Sequence, residues 1–193
     1  MSKKWKWILG VTGGLGTLLL ACSALACVGV VLYAMYGEQL VIATQEREQP
    51  QVGAEAPDFE LTTLAGDTLK LSDFRGKVVW LSFGATWCPD CHRETPVLQG
   101  AHEAFGEDLV VLAVDMREEA ATVQRYVDRN QVTYTIVLDP DGAVTERYRV
   151  QFIPTSVFID VDGIIRAAHI DAISAETLVK TLGEMGFDLT PSP

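Results

Sequence analysis

Basic residues are scarce in this sequence, which has 15 lysines and arginines against 26 aspartates and glutamates and a formal charge of −11. Three of the basic residues, Lys3, Lys4 and Lys6, come before an apolar N-terminal run, so the rest of the chain carries 12 basic and 26 acidic residues, a charge of −14. Because a phosphate backbone repels so acidic a surface, we expect no nucleic-acid partner.

Cysteine is scarce too, with four residues in the whole chain, and Cys22 and Cys27 lie inside the apolar run. The other pair, Cys88 and Cys91, closes almost no loop, so it adds little as a structural crosslink. A zinc site would need further ligands, and the chain has three histidines and no second C-x-x-C. The pair therefore predicts redox chemistry, without a bound metal.

Charge is absent from Trp7 to Tyr36. As a helix this run would span about 45 Å, whereas a bilayer needs about 20 residues and the core of a signal peptide only about 7–15. The length of the run therefore predicts one transmembrane helix within residues 1–36. Since the three lysines precede the run, the positive-inside rule predicts a cytoplasmic N-terminus and an extracytoplasmic remainder.

A lipoprotein is the alternative anchor, because Leu19-Leu20-Ala21-Cys22 resembles a bacterial lipobox with lipidation at Cys22. The apolar run continues well beyond Cys22, which favours the uncleaved helix. A polar linker is predicted over residues 37–56, a folded domain over 57–188 and a short tail over 189–193.

Apolar runs and turn signals alternate along the folded domain. Predicted strands are 59–62, 68–71, 77–83, 109–115, 135–138, 155–160 and 164–168, and predicted helices are 89–105, 118–130, 143–148 and 174–185. The order is two strands, then alternating strands and helices, then two strands and a helix. This order predicts a mixed α/β sheet in which helices connect the parallel strands.

The C-x-x-C pair follows a predicted strand and opens a predicted helix, with Pro89 at a position where its missing N–H is harmless. Thiol–disulfide exchange needs one accessible thiolate and a second thiol that resolves the mixed disulfide. The N-terminal end of a helix favours a thiolate, so Cys88 is predicted to be the nucleophile. Cys91, one turn further on, is expected to be more buried and to act as the resolving thiol.

The run Trp87-Cys88-Pro89-Asp90-Cys91 resembles the thioredoxin active site, and its continuation through Glu94 and Pro96 resembles the TlpA/ResA-like branch. Further matching stretches are Ala56-Pro57-Asp58-Phe59, Leu71-Ser72-Asp73-Phe74-Arg75-Gly76-Lys77, Val137-Leu138-Asp139, Phe152-Ile153-Pro154-Thr155 and Phe158-Ile159-Asp160. The resemblance implies an anchored, extracytoplasmic thiol–disulfide oxidoreductase with a thioredoxin-like fold. It also implies an extra central strand–helix unit around 109–130, while the turn Ala65-Gly66-Asp67 between the first two predicted strands indicates an N-terminal β-hairpin.

The resemblance also implies residue roles. Ile153-Pro154 is expected to form a cis peptide that faces the cysteines and offers backbone groups to a client, with Trp87 and Pro89 supporting the site. Thioredoxins bury an Asp at the position that Ser82 occupies in this chain. A serine cannot do acid–base work at neutral pH, so Glu94 is expected to be the general base for Cys91.

Asp90 lies between the cysteines, where its charge disfavours a thiolate and favours a reducing couple. The expected function is therefore reduction of specific protein disulfides, and the resemblance suggests apocytochrome c or a cuproprotein as client. Electrons would come from a membrane thiol transporter, because the chain has no flavin or nicotinamide motif and no expected cofactor besides the disulfide. The alternatives are a copper-delivery module with His169 as a third ligand, and a thiol peroxidase, since Pro57-Asp58-Phe59 also occurs in peroxiredoxin-like proteins.

Overall fold

The computed structural model describes residues 51–190, which lie in a compact unit spanning Glu48–Pro193. The predicted transmembrane helix, Cys22, Cys27 and most of the predicted linker lie outside the described residues. No helix within 51–190 is long and apolar enough to cross a membrane.

Seven strands and four α-helices make up the domain. In chain order they are β1 (Glu60–Thr63), β2 (Thr68–Lys70), β3 (Val78–Gly84), α1 (Pro89–Phe105), β4 (Leu109–Met116), α2 (Ala120–Asn130), β5 (Thr135–Asp139), α3 (Ala143–Arg147), β6 (Thr155–Ile159), β7 (Ile165–Ile170) and α4 (Ala175–Glu184). Every strand and helix predicted for the folded domain is present, with ends that move by a few residues. A short 3₁₀ helix, Leu71–Phe74, was not predicted.

All seven strands form one sheet in the order β2-β1-β5-β4-β3-β6-β7. The central strands β3, β4 and β5 are parallel, as α1 and α2 allow by carrying the chain back across the sheet. The N-terminal hairpin β1–β2 and the hairpin β6–β7 complete the sheet on either side with antiparallel pairs. The predicted N-terminal hairpin and extra strand–helix unit, here β4 and α2, are therefore confirmed.

Helices cover the two faces of the sheet and form two hydrophobic layers. One layer contains residues of α1, α2 and α4, such as Leu98, Val123 and Leu182, packed on Trp80 and Phe158. The other contains residues of α3 and the N-terminal segment packed on the opposite side of β3, β4 and β6. Because successive residues of a strand face opposite sides of the sheet, Ser82 and Gly84 lie on the same face as Trp80, which is the face covered by α1.

The folded domain begins before the predicted boundary at residue 57. Gly53 N–H donates to the Ile165 carbonyl oxygen, Ile165 N–H donates to the Ala54 carbonyl oxygen, and Glu55 forms an isolated bridge with Ile164. Residues 53–56 thus pair alongside β7 and are not linker. A polar sequence does not reveal this pairing, because unpaired backbone groups at a sheet edge attract any extended segment nearby.

Candidate active site

The two reactive cysteines lie where β3 ends and α1 begins. Cys88 is the N-cap residue of α1 and Pro89 is its first residue. Cys91 N–H donates to Cys88 Sγ over 3.2 Å, and the two cysteines form a disulfide with their Cα atoms 5.3 Å apart. Cys88 therefore occupies the helix terminus, where unpaired N–H groups and the helix dipole stabilise a thiolate.

The burial of the two cysteines differs from the prediction. Cys88 is 4% exposed, whereas Cys91 is partly exposed and lines a cavity of about 50 Å³. The prediction that Cys91 is the more buried thiol is wrong for this disulfide form. The reason is that a loop from another part of the chain covers Cys88, while Cys91 faces the cavity.

That loop contains Ile153 and Pro154, whose peptide bond is cis, as predicted. It precedes β6, and the antiparallel pairing of Phe83 with Thr155 brings the start of β6 next to the end of β3. The Ile153 carbonyl oxygen consequently lies 3.7 Å from Cys88 Sγ. Thr155 Oγ1 donates to the Phe152 carbonyl oxygen over 2.7 Å and fixes the loop.

Two large aromatic side chains project from this part of the surface. Trp87, directly before the disulfide, is 66% exposed, and Phe152, directly before Ile153, is 62% exposed. Exposed aromatic side chains are typical of sites where proteins bind each other. The disulfide thus lies between two segments that each carry a large exposed aromatic side chain.

Glu94 is buried, not a surface residue of the helix. It lies four residues before Leu98 and seven before Ala101, on the stripe of α1 that faces the core. Its carboxylate accepts hydrogen bonds from Ser82 Oγ at 2.7 Å, Ser156 Oγ at 3.2 Å and Ile173 N–H at 3.1 Å.

Burial is the largest influence on Glu94 and raises its pKa, while the three donors act in the opposite direction. Ser82 replaces the thioredoxin Asp in position but serves here as a donor to this carboxyl group. Glu94 and Cys91 line the same cavity, which suits a base for the resolving thiol. The role of Glu94 stays a prediction.

Asp90, between the cysteines, is paired with a cation that the sequence argument did not consider. Arg93, one turn further along α1, forms an ion pair with its carboxylate. Most of this pair is exposed, so the interaction is screened and weak. It nevertheless offsets part of the negative field that Asp90 places beside Cys88.

Asp115 is a buried acidic residue that sequence reasoning missed. It lies near the end of β4, opposite Gly84 of β3, and is 7% exposed. Its Oδ1 atom has no hydrogen-bond partner within the described residues. Burial, the charge of Glu118 and a hydrogen bond with the Glu118 carboxyl group raise the pKa of Asp115 to about 8. An acidic residue at a core-facing position of a predicted apolar strand was the available signal.

Glu118 connects this buried acid to the loop before Cys88. Its carboxylate accepts hydrogen bonds from the backbone N–H and from Oγ1 of Thr86. The Thr86 carbonyl oxygen in turn lies 2.6 Å from a ring nitrogen of His92. The loop that ends at Cys88 is therefore held from both sides.

No group of three potential metal ligands occurs within residues 51–190. His169, the residue suggested as a third copper ligand, lies on β7 with its ring 3.0 Å from Thr181 Oγ1 and packed edge-on against Phe158. What the arrangement provides is a disulfide at a helix terminus, a neighbouring backbone carbonyl and buried carboxyl groups for proton transfer. A disulfide whose first cysteine lies at a helix N-terminus suits thiol–disulfide exchange, in which a thiolate attacks a disulfide sulfur.

Comparison with known proteins agrees with this chemistry. The AhpC/TSA family model matches residues 52–168. The thiol-disulfide oxidoreductase ResA of Bacillus thuringiensis subsp. konkukian is 34% identical over 175 residues, which cover 90% of this chain and 93% of the relative.

Solved structures extend the similarity to the fold. A crystal structure assigned to a thiol:disulfide interchange protein DsbE from Chlorobium tepidum matches with a TM-score of 0.62 at 29% identity, over 69% of this chain and 96% of that one. The exposed lipoprotein thioredoxin Etrx1 from Streptococcus pneumoniae matches with a TM-score of 0.59 at 32% identity, over 66% of this chain and 99% of that one. The chain therefore belongs to the AhpC/TSA family and, within it, to the ResA-like thiol–disulfide oxidoreductases with a thioredoxin-like fold.

Proposed function

We propose that this oxidoreductase works as a reductase of specific protein disulfides on the outer side of a bacterial membrane. Cys88 is the nucleophile, Cys91 the resolving thiol and Glu94 the base that deprotonates Cys91. The reaction uses no cofactor other than the Cys88–Cys91 pair. Trp87, Pro89, Ile153 and Pro154 support and present the pair to the client.

The observation that carries this proposal is the concentration of carboxyl groups around the pair. Asp90 lies between the cysteines, and Glu94 lines the cavity that Cys91 faces. Asp115 also lines this cavity, but its pKa is raised to about 8, so it is protonated near neutral pH and adds no negative charge. Negative charge disfavours thiolates, and a couple whose reduced form is little stabilised is reducing, in contrast to strong oxidants such as DsbA. Arg93 reduces the contribution of Asp90 but lies on the exposed side of α1.

The reduction potential is the first test. The full-length chain, with Cys22 and Cys27 replaced by serine, is equilibrated in detergent against glutathione and dithiothreitol buffers. We expect a two-electron couple near or below the value of thioredoxin, about −270 mV. A potential near that of DsbA, about −120 mV, would contradict the direction proposed.

The alternatives have their own readouts in the same preparation. Copper retained through purification, without a two-electron couple, would favour a copper-delivery module. Peroxide-dependent turnover of the reduced protein would favour a thiol peroxidase. We expect neither result.

The client is expected to be an apocytochrome c or a cuproprotein with an oxidised cysteine pair, and the electron donor a membrane thiol transporter. The reduced Cys91→Ser variant should form a mixed disulfide with an oxidised C-x-x-C-H peptide, since nothing then resolves it. The Cys88→Ser variant is the matched control and should not trap the peptide. Trapping through Cys91 alone would reverse the assigned roles, a result that the low exposure of Cys88 makes worth testing.

The domain is expected to be held at the membrane by residues 1–36. Support comes from the uncharged run after three lysines. The similarity to a protein named as an exposed lipoprotein supports the alternative anchor at Cys22. Membrane extraction with alkaline carbonate and metabolic lipid labelling, each with a Cys22→Ala variant, distinguish the two. An uncleaved helix leaves the parent unlabelled and keeps both chains membrane-bound. A lipoprotein gives a labelled parent and a Cys22→Ala variant that takes up no label.

A further inference from the structure

The cavity beside Cys91 contains a second buried carboxyl group that the roles assigned above do not use. Its wall includes Cys91, Glu94 and Thr95 of α1, Asp115 of β4, and the tyrosines Tyr126 and Tyr134. Both carboxylate oxygens of Glu94 accept hydrogen bonds from protein donors. The buried Oδ1 of Asp115, by contrast, has no partner within residues 51–190.

Strand register places Asp115 close to the sulfur of Cys91. Asp115 is the parallel neighbour of Gly84, so both residues direct their substituents to the face covered by α1. A Cβ atom built on Gly84 would lie 3.2 Å from Cys91 Sγ. Because Gly84 has no side chain, nothing from β3 stands between the position of Asp115 and the sulfur. The cavity of about 50 Å³ has room for water, and a water there needs polar partners such as Asp115 Oδ1.

We propose that Asp115 is a proton-exchange residue for Cys91, donating a proton across the cavity when the Cys88–Cys91 disulfide opens and taking one back when it closes. On opening, a donor thiolate attacks Cys88 Sγ and forms a new sulfur–sulfur bond. The Cys88–Cys91 bond breaks, its electron pair goes to Cys91 Sγ, and the proton moves from the Asp115 carboxyl group to that sulfur. This step oxidises the donor sulfur to a mixed disulfide with Cys88 and reduces Cys91. The second thiol of the donor then attacks the donor sulfur of the mixed disulfide, which releases Cys88 as a thiolate and leaves the donor as a disulfide and the enzyme pair reduced.

The charges around Asp115 make such an exchange feasible near neutral pH. Burial and the adjacent Glu118 raise its pKa to about 8, close to the ordinary value of a cysteine thiol, about 8.5. A proton passes most readily between groups of similar pKa. The other titratable groups that face it are Glu94 on α1, Tyr126 on α2 and Tyr134 before β5, and burial raises the pKa of both tyrosines.

The inference needs only thiol–disulfide exchange, in either direction, so it does not depend on which client or donor the protein uses. The test is the opening of the oxidised full-length chain by dithiothreitol, in the background without Cys22 and Cys27. Samples are quenched with acid, and the free thiols are alkylated and counted by mass spectrometry. The rate constant is divided by the concentration of dithiothreitol thiolate, so that the nucleophile's own titration is removed.

The parent should give a normalised rate constant that is level below about pH 8 and falls above it, as Asp115 loses its proton. Asp115→Asn should remove this fall and be roughly a hundredfold slower on the level part, the lower end of the range for general-acid effects. Glu94→Gln is the matched control, a second buried carboxyl group of the same cavity, and should keep the fall.

Glu118→Gln keeps the Asp115 carboxyl group but removes the neighbouring charge, so it should move the fall to lower pH. If Asp115→Asn does not fold, the pH at which the rate of Glu118→Gln falls tests the proposal by itself. A fall that persists in Asp115→Asn, or that stays in place in Glu118→Gln, would overturn the proposal. So would an Asp115→Asn rate that differs from the parent by the same factor at every pH, which is the behaviour of a purely structural residue. A wrong reductase assignment would leave all of these rates unchanged, so the two proposals fail separately.

Discussion

Replacing Asp115 by Asn should change how the stability of the domain depends on pH. In the folded state the pKa of Asp115 is raised from 3.8 to about 8, mainly by burial, so the folded protein holds a proton that the unfolded chain has lost. Between these two values the folded state binds more protons, and the free energy of unfolding therefore falls as pH rises. Below about pH 4 and above about pH 8 Asp115 contributes no slope.

The size of the effect follows from the shift. The difference of about 4 pKa units, at about 1.4 kcal/mol for each unit, sets an upper limit of about 6 kcal/mol. Domains have free energies of unfolding of about 5–15 kcal/mol, so the effect is readily measurable. Asn has nearly the same shape and its amide can donate to Glu118, so the packing should survive.

The assay is urea unfolding of a fragment of residues 48–193, followed by tryptophan fluorescence at a series of pH values. The stability of Asp115→Asn relative to the parent should rise steadily from about pH 4 to about pH 8 and then stay level. Glu118→Gln should show a smaller rise, because the charge that helps to raise the pKa of Asp115 is gone. Parallel curves for the parent and Asp115→Asn would refute the assignment of a buried proton to this residue.

Three further substitutions test the packing around the disulfide, all by urea unfolding. Glu94→Ala should destabilise the domain by about 2–4 kcal/mol, because Ile173 N–H and two serine hydroxyls lose their buried acceptor, whereas Glu94→Gln keeps an acceptor and should be much less affected. Equal stability of these two variants would contradict the contacts. Gly84→Ala should cost about 1–3 kcal/mol, since its Cβ would lie 3.2 Å from Cys91 Sγ, and an unchanged stability would mean that α1 shifts freely. Trp80→Phe should cost about 1–3 kcal/mol because Ser156 Oγ loses the indole N–H that donates to it over 2.8 Å, and no loss would count against that contact.

Local sequence was sufficient to predict the reactive part of the site. The C-x-x-C pair, the helix that it begins and Glu94 one turn on are neighbours along the chain, so their arrangement follows from helix geometry. The cis peptide at Ile153-Pro154 came from family resemblance, since spacing alone does not predict which residue faces the disulfide. Element types were also predictable, because hydrophobic periodicity distinguishes these strands and helices.

Contacts that depend on strand register were not predictable. Asp115 reaches the cavity because β4 lies parallel to β3 with Asp115 opposite Gly84, and a shift by one residue would direct it to the other face. The acceptor role of Glu94 requires Ser156 and Ile173, which are distant in sequence. The relative burial of Cys88 and Cys91 likewise depends on a loop more than 60 residues away.

The two sulfurs of the disulfide belong to separate surroundings. Cys88 faces the Ile153 loop and its exposed aromatic neighbours, whereas Cys91 faces a cavity whose wall comes from α1, β4 and the segments that follow. Changes in the loop can therefore alter which protein is recognised without altering proton transfer, and changes in the cavity can do the reverse. Such a division makes the domain modular: one scaffold can acquire new clients and retain its redox chemistry, or be retuned for another compartment and retain its client.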